Sequence, residues 1–247
     1  MKATADQQEL PIILAKTGRN VDDFFRYIVD LIATEDIALQ KLNRRSVVFA
    51  REQVRVSYLI LHERHAETAQ IVEYRMDSEG HRMDDVGRQE GYLVTFGFAL
   101  NCDYFSTAFQ PESKFRFLGQ QKIATHDAYV VAFAQKPEQA SLFVTLTGSS
   151  GIRLPMLMQG VLWVDKNNFQ ILRTRTDLLA PHPEAGLDRQ TTEVTFDGVQ
   201  LPGMAGPLWL PQEVKVTLRI NGRSYHNEHR YSDYRRYRVS VKMAVPR

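Results

Sequence analysis

The sequence predicts a mostly-β α+β protein: an antiparallel sheet preceded by a helix. Three observations predict this. Apolar residues recur at helical spacing near the N-terminus; after residue 45 they alternate largely with period two; and no crossover helices, which a parallel sheet needs, are visible after residue 110.

The helix is expected over residues 20–32. Val21, Phe24, Phe25, Ile28, Leu31 and Ile32 form one apolar stripe, Asp22 and Asp23 sit in the first turn where they suit the helix dipole, and Asn20 is the N-cap candidate. Strands are read where one parity is apolar. Val54, Val56, Tyr58 and Ile60 give one, and Val72, Tyr74 and Met76 the next. Val194 with Phe196, and then Val214, Val216, Leu218 and Ile220, give two more. Tyr237, Val239, Val241 and Met243, opposite Arg236, Arg238, Ser240 and Lys242, are read as the last strand. Residues 77–90 and 180–189 read as loops on their glycine and proline content, and residues 148–155 as a turn or a lid.

Two segments are apolar on both parities. In residues 128–134 one row is Tyr129, Val131 and Phe133 and the other Ala128, Val130, Ala132 and Ala134. Both faces are therefore covered, and the small-residue face admits either a closely packed helix or a ligand. In residues 160–175, Val161 and Trp163 oppose Leu162 and Val164; Asp165, Lys166, Asn167 and Asn168 then suit a four-residue turn with an asparagine in the left-handed conformation, leading into a second strand.

With 247 residues, 43% hydrophobic and 24% charged, the chain is a globular protein with material for a sizeable core, and a single all-β unit of this length is common. The net charge of +2 gives no overall basicity for nucleic acid. Residues 219–247 do hold eight basic side chains against two acidic, with Tyr225, Tyr231, Tyr234 and Tyr237 between them, but the polar parity of a one-sided strand accounts for the basic row; no nucleic-acid partner is expected. Cys102 is the only cysteine, which leaves no internal disulfide and points to a small buried hydrophobe. No apolar run reaches the roughly 20 residues that span a bilayer, so no transmembrane segment is expected.

Chemistry-bearing patterns are weak. His62-Glu63-Arg64-His65 and His226-Asn227-Glu228-His229 place histidines three apart, on opposite faces of a strand and without the spacing of a zinc protease, so they read as solvated side chains and no metal is expected. The serines of Thr147-Gly148-Ser149-Ser150-Gly151 lack the spacing of a nucleophile elbow, and no phosphate-cradling glycine loop occurs. No catalytic residue, enzyme activity or cofactor is expected.

Two further segments complete a recognisable order. Phe115-Arg116-Phe117-Leu118-Gly119-Gln120-Gln121-Lys122-Ile123 is followed by Ala128-Tyr129-Val130-Val131-Ala132-Phe133, Gly160-Val161-Leu162-Trp163-Val164-Asp165 and Gln170-Ile171-Leu172-Arg173. Leu208-Trp209-Leu210-Pro211 and His229-Arg230-Tyr231-Ser232-Asp233-Tyr234-Arg235-Arg236-Tyr237 close it. This resembles the LolA/LolB-like lipoprotein-carrier superfamily, in particular its uncharacterised secreted bacterial members. The resemblance implies one domain over residues 1–247, with a helical segment at 1–45 and, at 46–247, a strongly curved antiparallel sheet. That sheet would be an incomplete barrel with the helix packed on its concave side. It implies a non-enzymatic periplasmic or secreted protein that holds a lipid, acyl chain or other apolar ligand between sheet and helix. The ligand-lining candidates are Phe24, Phe25, Ile28, Tyr129, Phe133 and Trp163. The competing expectation is a structural or protein-interaction module whose core is filled by side chains.

Overall fold

The computed structural model describes residues 6–65, 68–83, 98–141, 144–147 and 153–237. Helix α1 spans Leu10–Tyr27, with Pro11 in its first turn, where a missing N–H costs no intrahelical bond, and Arg26 in its last turn, where a cation suits the dipole. The helix ends as Ile28 turns extended while its N–H still reaches Phe24 O at 2.9 Å. The helix thus begins ten residues earlier than its apolar stripe indicates, Asn20 lies mid-helix, and Leu31 and Ile32 belong to a strand. Leu31 and Ile32 continue a spacing of three and four from Ile28, but they also open the buried alternation Leu31, Ala33, Glu35, Ile37, Leu39, and the sheet's pairing prevails. The sheet consequently starts at Leu31, inside the segment expected to be helical to residue 45.

In chain order the strands are β1 Leu31–Leu42, β2 Val48–His65, β3 Thr68–Met76, β4 Ser113–Ile123, β5 His126–Gln135 and β6 Val144–Thr147. They continue as β7 Arg153–Met156, β8 Met158–Asp165, β9 Ile171–Leu178, β10 Leu187–Val199, β11 Leu208–Ile220 and β12 Arg223–Arg236. Ten of them form one antiparallel sheet in the order β3-β2-β1-β12-β11-β10-β9-β8-β5-β4, while β6 and β7 pair separately. Among the described residues the edges β3 and β4 are not joined, so the sheet is open and the barrel incomplete, as expected. The first and last strands of the sheet are direct neighbours, registered from Leu31 opposite Arg236 to Leu42 opposite Ser224.

β12 ends at Arg236, and the last strand expected over residues 236–243 lies, beyond Tyr237, outside the described residues. The expected loop at 77–90 is described only to residue 83, where Arg82 bridges to Met76; of residues 148–155, only 153–155 are described, as part of β7. Residues 180–186 are irregular as expected, and β10 begins at Leu187.

One face of the sheet, here the inner face, carries α1 and the 3-10 segment Ala99–Phe105. Ile13 and Val21 from the helix and Ile28 just beyond its end share one core there with Val131 and Phe133, Leu162, Val194, Val214 and Val216. The outer face holds a second apolar cluster of Ala128, Val130, Trp163 and Leu172, so β5 is indeed covered on both faces; its small residues face Trp163, not the helix. Between β8 and β9, Asp165 Oδ1 accepts the N–H groups of Asn167 and Asn168 at 2.6 and 3.2 Å, and the left-handed residue is Phe169 (φ 60°), not an asparagine. At the β4 edge, Gln7 imitates a neighbouring strand: its Oε1 accepts the Phe117 N–H at 2.8 Å and its Nε2 donates to the Phe117 carbonyl at 3.0 Å.

Candidate functional site

The space between α1 and the sheet has a polar half and an apolar half. The polar half arises because β1, β2, β3 and β12 each point polar residues inward at positions that alternation reserves for the core. Register places Glu35 opposite Tyr231 and Arg75 opposite Tyr58. Arg75 grips Glu35 with both edges of its fork, Nε to Oε2 at 2.6 Å and Nη2 to Oε1 at 2.7 Å, and both side chains are 0% exposed. Glu35 Oε1 also accepts His229 Nδ1–H at 2.8 Å and the Tyr231 hydroxyl at 2.9 Å. Beside this cluster the Tyr58 hydroxyl and, at 3.0 Å, the Phe98 N–H donate to Glu73 Oε2. The ring of Phe98 covers His229 at 4.8 Å.

The electrostatics follow from burial and partners. Burial pushes the Glu35 carboxyl up, but the bonds and charge of Arg75, with His229, outweigh it and hold the pKa at about 2. Burial, reinforced by the Arg75 charge, pushes the His229 imidazole below its ordinary value against the pull of Glu35, so the ring is neutral with its proton on Nδ1. Its Nε2 is buried without a hydrogen-bond partner among the described residues. The expectation of solvated histidines is therefore corrected at His229: inward parity on a central strand beside Glu35 makes it a core residue. His226, three residues earlier, points the other way, toward Thr217 at 2.9 Å, and His62 meets Asp30 at 2.9 Å. No group of three or more metal-ligating side chains occurs among the described residues.

The apolar half narrows to a cleft where α1 crosses the sheet, lined by Val21, Phe24, Ile171, Phe196, Trp209 and Cys102 with Asn20 and Gln170 at the rim. Its volume is about 20 Å3, room for about one water. Cys102 is the small buried residue it was expected to be. Next to it, burial and the charge of Asp22 push the Asp103 carboxyl up to about 6.

Of the ligand-lining candidates, Phe24 borders this cleft, and Phe25 packs edge-on against it with ring centroids 5.2 Å apart. Ile28 and Phe133 are buried in the same inner core, Phe133 against Phe105 at 5.0 Å, and half-buried Tyr129 packs on that core, stacked on Phe169 at 6.0 Å. Trp163 is apart from them on the outer face, where its Nε1 donates to Gln121 at 2.9 Å and Arg173 lies over its ring. Trp209, which borders the cleft, and the buried Glu35–Arg75 pair are not picked out by the sequence pattern. A signal for the latter exists: a lone glutamate in the inward row of β1.

The outer face of β2, β1 and β12 forms an open polar groove of about 530 Å3, in which Arg51, Gln53, Arg55, Glu228 and Arg230 surround Ala38. Arg55 is paired there with Asp36 at 2.6 Å.

Site and sheet together make an open antiparallel sheet with one N-terminal helix on its inner face. No protein-family model matches the chain, and no curated protein is significantly similar to it in sequence. Among solved structures it is similar to a domain named for outer membrane lipoprotein sorting from Vibrio parahaemolyticus, at 13% identity and a TM-score of 0.46 over 93% of this chain and 94% of that one. It is also similar to a LolA superfamily protein from Nitrosomonas europaea (14% identity, TM-score 0.41, 92% and 94% covered). A third is a DUF1329 family protein from Desulfovibrio piger (12% identity, TM-score 0.42, 94% of each chain). No residue role is carried over from them. Among the described residues no helix is long and apolar enough to cross a membrane.

Proposed function

We propose that this chain is, as one LolA/LolB-like unit over residues 1–247, a non-enzymatic periplasmic or secreted protein that binds an apolar ligand such as a lipid or acyl chain between α1 and the sheet. The observation that carries this reading is the cleft under α1: five large apolar side chains from helix and sheet converge on a narrow opening with an amide-bearing rim. The helix is also suited to moving. Phe24 and Phe25 are only half-buried, and its polar ties to the other described residues are few, among them Asn20 to the Asn168 carbonyl at 2.8 Å and Asp22 to the Thr107 N–H at 3.1 Å. A guest of acyl-chain length requires α1 to lift, because the closed cleft holds about one water. Burial of the Glu35, Arg75 and His229 side chains supports a binding role over a catalytic one, since a reagent must be reachable by its substrate.

The small volume also favours a second reading, a protein-interaction module with a filled core. Native mass spectrometry of the delipidated chain with oleate separates the two. The binding reading expects a one-to-one complex that survives mild activation; a chain that stays unliganded, with an unchanged melting temperature, sinks it.

A further inference from the structure

We propose that the tip of the β1–β2 hairpin is a docking element for an anionic lipid surface. Among the described residues only five large hydrophobic side chains are exposed, and three of them are consecutive at this tip: Val47 (56%), Val48 (43%) and Phe49 (67%). A folded chain gains nothing in water by presenting three such side chains in a row. They are bracketed by Arg44, Arg45 and Arg51, all exposed and without a carboxylate partner among the described residues, and no acidic residue occurs from Leu42 to Arg51. Register puts Leu42 opposite Ser224, so the exposed Arg223 stands at the same end of the sheet as a fourth cation. An apolar wedge ringed by guanidinium groups is complementary to a phosphate-bearing interface with acyl chains beneath it.

The backbone of the tip is prepared for such an environment. Asn43 Oδ1 accepts the N–H groups of Arg45 and Val47 at 2.9 and 3.0 Å, Ser46 N–H reaches Asn43 O at 2.9 Å, and Asn43 N–H reaches Val47 O at 2.9 Å. The turn thus bonds four of its N–H groups, those of Asn43, Arg45, Ser46 and Val47, within itself, which eases entry into a region poor in water. The outer half of the hairpin is also free of a further strand: β3 pairs with β2 only up to Ser57 opposite Met76, leaving residues 48–56 paired to β1 alone among the described strands.

The test is co-sedimentation of the full chain with vesicles of phosphatidylglycerol and phosphatidylcholine in equal parts, against pure phosphatidylcholine, across a salt series. Binding is expected to the anionic vesicles, to weaken as salt rises, and to fall about tenfold in the double variant Val47→Ser, Phe49→Ser. The triple variant Arg44→Gln, Arg45→Gln, Arg51→Gln should lose the preference for phosphatidylglycerol. Melting temperatures equal to the parent confirm that the variants fold. No binding by the parent, or binding unaffected by both variants, overturns the proposal. So does a serine variant whose only change is in oligomeric state, since the patch would then be a contact between copies. None of these outcomes depends on whether a ligand enters under α1.

Discussion

Glu35 and His229 lie 194 residues apart in the chain, yet their side chains meet at 2.8 Å with no access to water. The contact joins β1 to β12, the pair of strands through which the start and the end of the sheet become neighbours. With Arg75 from β3 and Tyr231 from β12 it ties three strands, β1, β3 and β12, in one register, because a buried carboxylate tolerates no slip that removes its donors.

Removing one charge of the buried pair should therefore be worse than removing both. We expect Glu35→Leu to destabilise the fold by about 3–5 kcal/mol, since Arg75 is left buried without its partner. The double variant Glu35→Leu, Arg75→Met should lose markedly less than the sum of the two single variants. Urea unfolding of the four proteins gives the coupling directly, and additive losses would show that the pair does not act as a unit.

The same cluster sets a pH dependence. The folded Glu35 carboxyl is held at about 2 against an ordinary 4.5, so the unfolded state binds more protons in that window. Its contribution is complete above pH 4.5 and is lost as pH falls toward 2, amounting to about 3 kcal/mol. His229 acts earlier. Its folded value is depressed below 6.5, so the unfolded chain takes up the proton first and stability falls as pH drops below 6.5. Chemical denaturation between pH 8 and pH 3 should show both arms, and Glu35→Gln should abolish the lower one.

Asp103 works in the opposite sense. Its carboxyl is pushed up to about 6 from an ordinary 3.8, so the folded state binds more protons between these values and gains stability as pH falls through them. We expect Asp103→Asn to raise the melting temperature at pH 7.5 and to leave it unchanged at pH 3.5, where the aspartate is already neutral. A lower melting temperature at pH 7.5 would mean that the charged form is needed.

How much of this is legible in the sequence depends on which residues a strand turns inward. β11 is read correctly because Val214, Val216 and Leu218 form its buried row, and β5 because Val131 and Phe133 do. β1 and most of β12 escape the alternation for a common reason: their inward rows contain Glu35 in one, and Asn227 and His229 in the other, so the apolar alternation breaks where the polar cluster is built. In β1 the helical spacing of Ile28, Leu31 and Ile32 then fills the gap with the wrong period. Side-chain facing is lost for a different reason. Trp163 and Leu162 belong to a strand that is apolar on both parities, and only tertiary context assigns one to the helix side and the other to the outer cluster. The cleft is likewise invisible, because Phe24 and Trp209 meet only through packing.

Gly160 tests how tightly that two-faced strand is built. A Cβ there would stand 1.9 Å from the carbonyl oxygen of Arg175 on β9, a backbone atom that cannot move without breaking the ladder between the two strands. We expect Gly160→Ala to cost about 3 kcal/mol. Gly206→Ala, at a position where a Cβ meets nothing within 4 Å, should be close to neutral. Equal melting temperatures for the two variants would show that β8 and β9 relax apart at no cost.

The two tryptophans offer a built-in report on where an apolar ligand goes. Trp209 borders the cleft under α1 and also packs against the outer cluster, whereas Trp163 belongs to the outer cluster alone, fixed by Gln121 and capped by Arg173. The chain has no others, so Trp163→Phe leaves Trp209 as the sole indole and Trp209→Phe leaves Trp163. If α1 lifts to admit an acyl chain, the polarity and packing around Trp209 change while those around Trp163 do not. Titration with oleate should then shift the emission of the Trp163→Phe variant saturably and leave the Trp209→Phe variant flat. Because Trp209 lines the cleft, its replacement also alters affinity, so complex formation by the Trp209→Phe variant is followed in parallel by mass spectrometry. A saturable shift from Trp163 alone would put the ligand on the outer face and remove α1 from the binding mechanism.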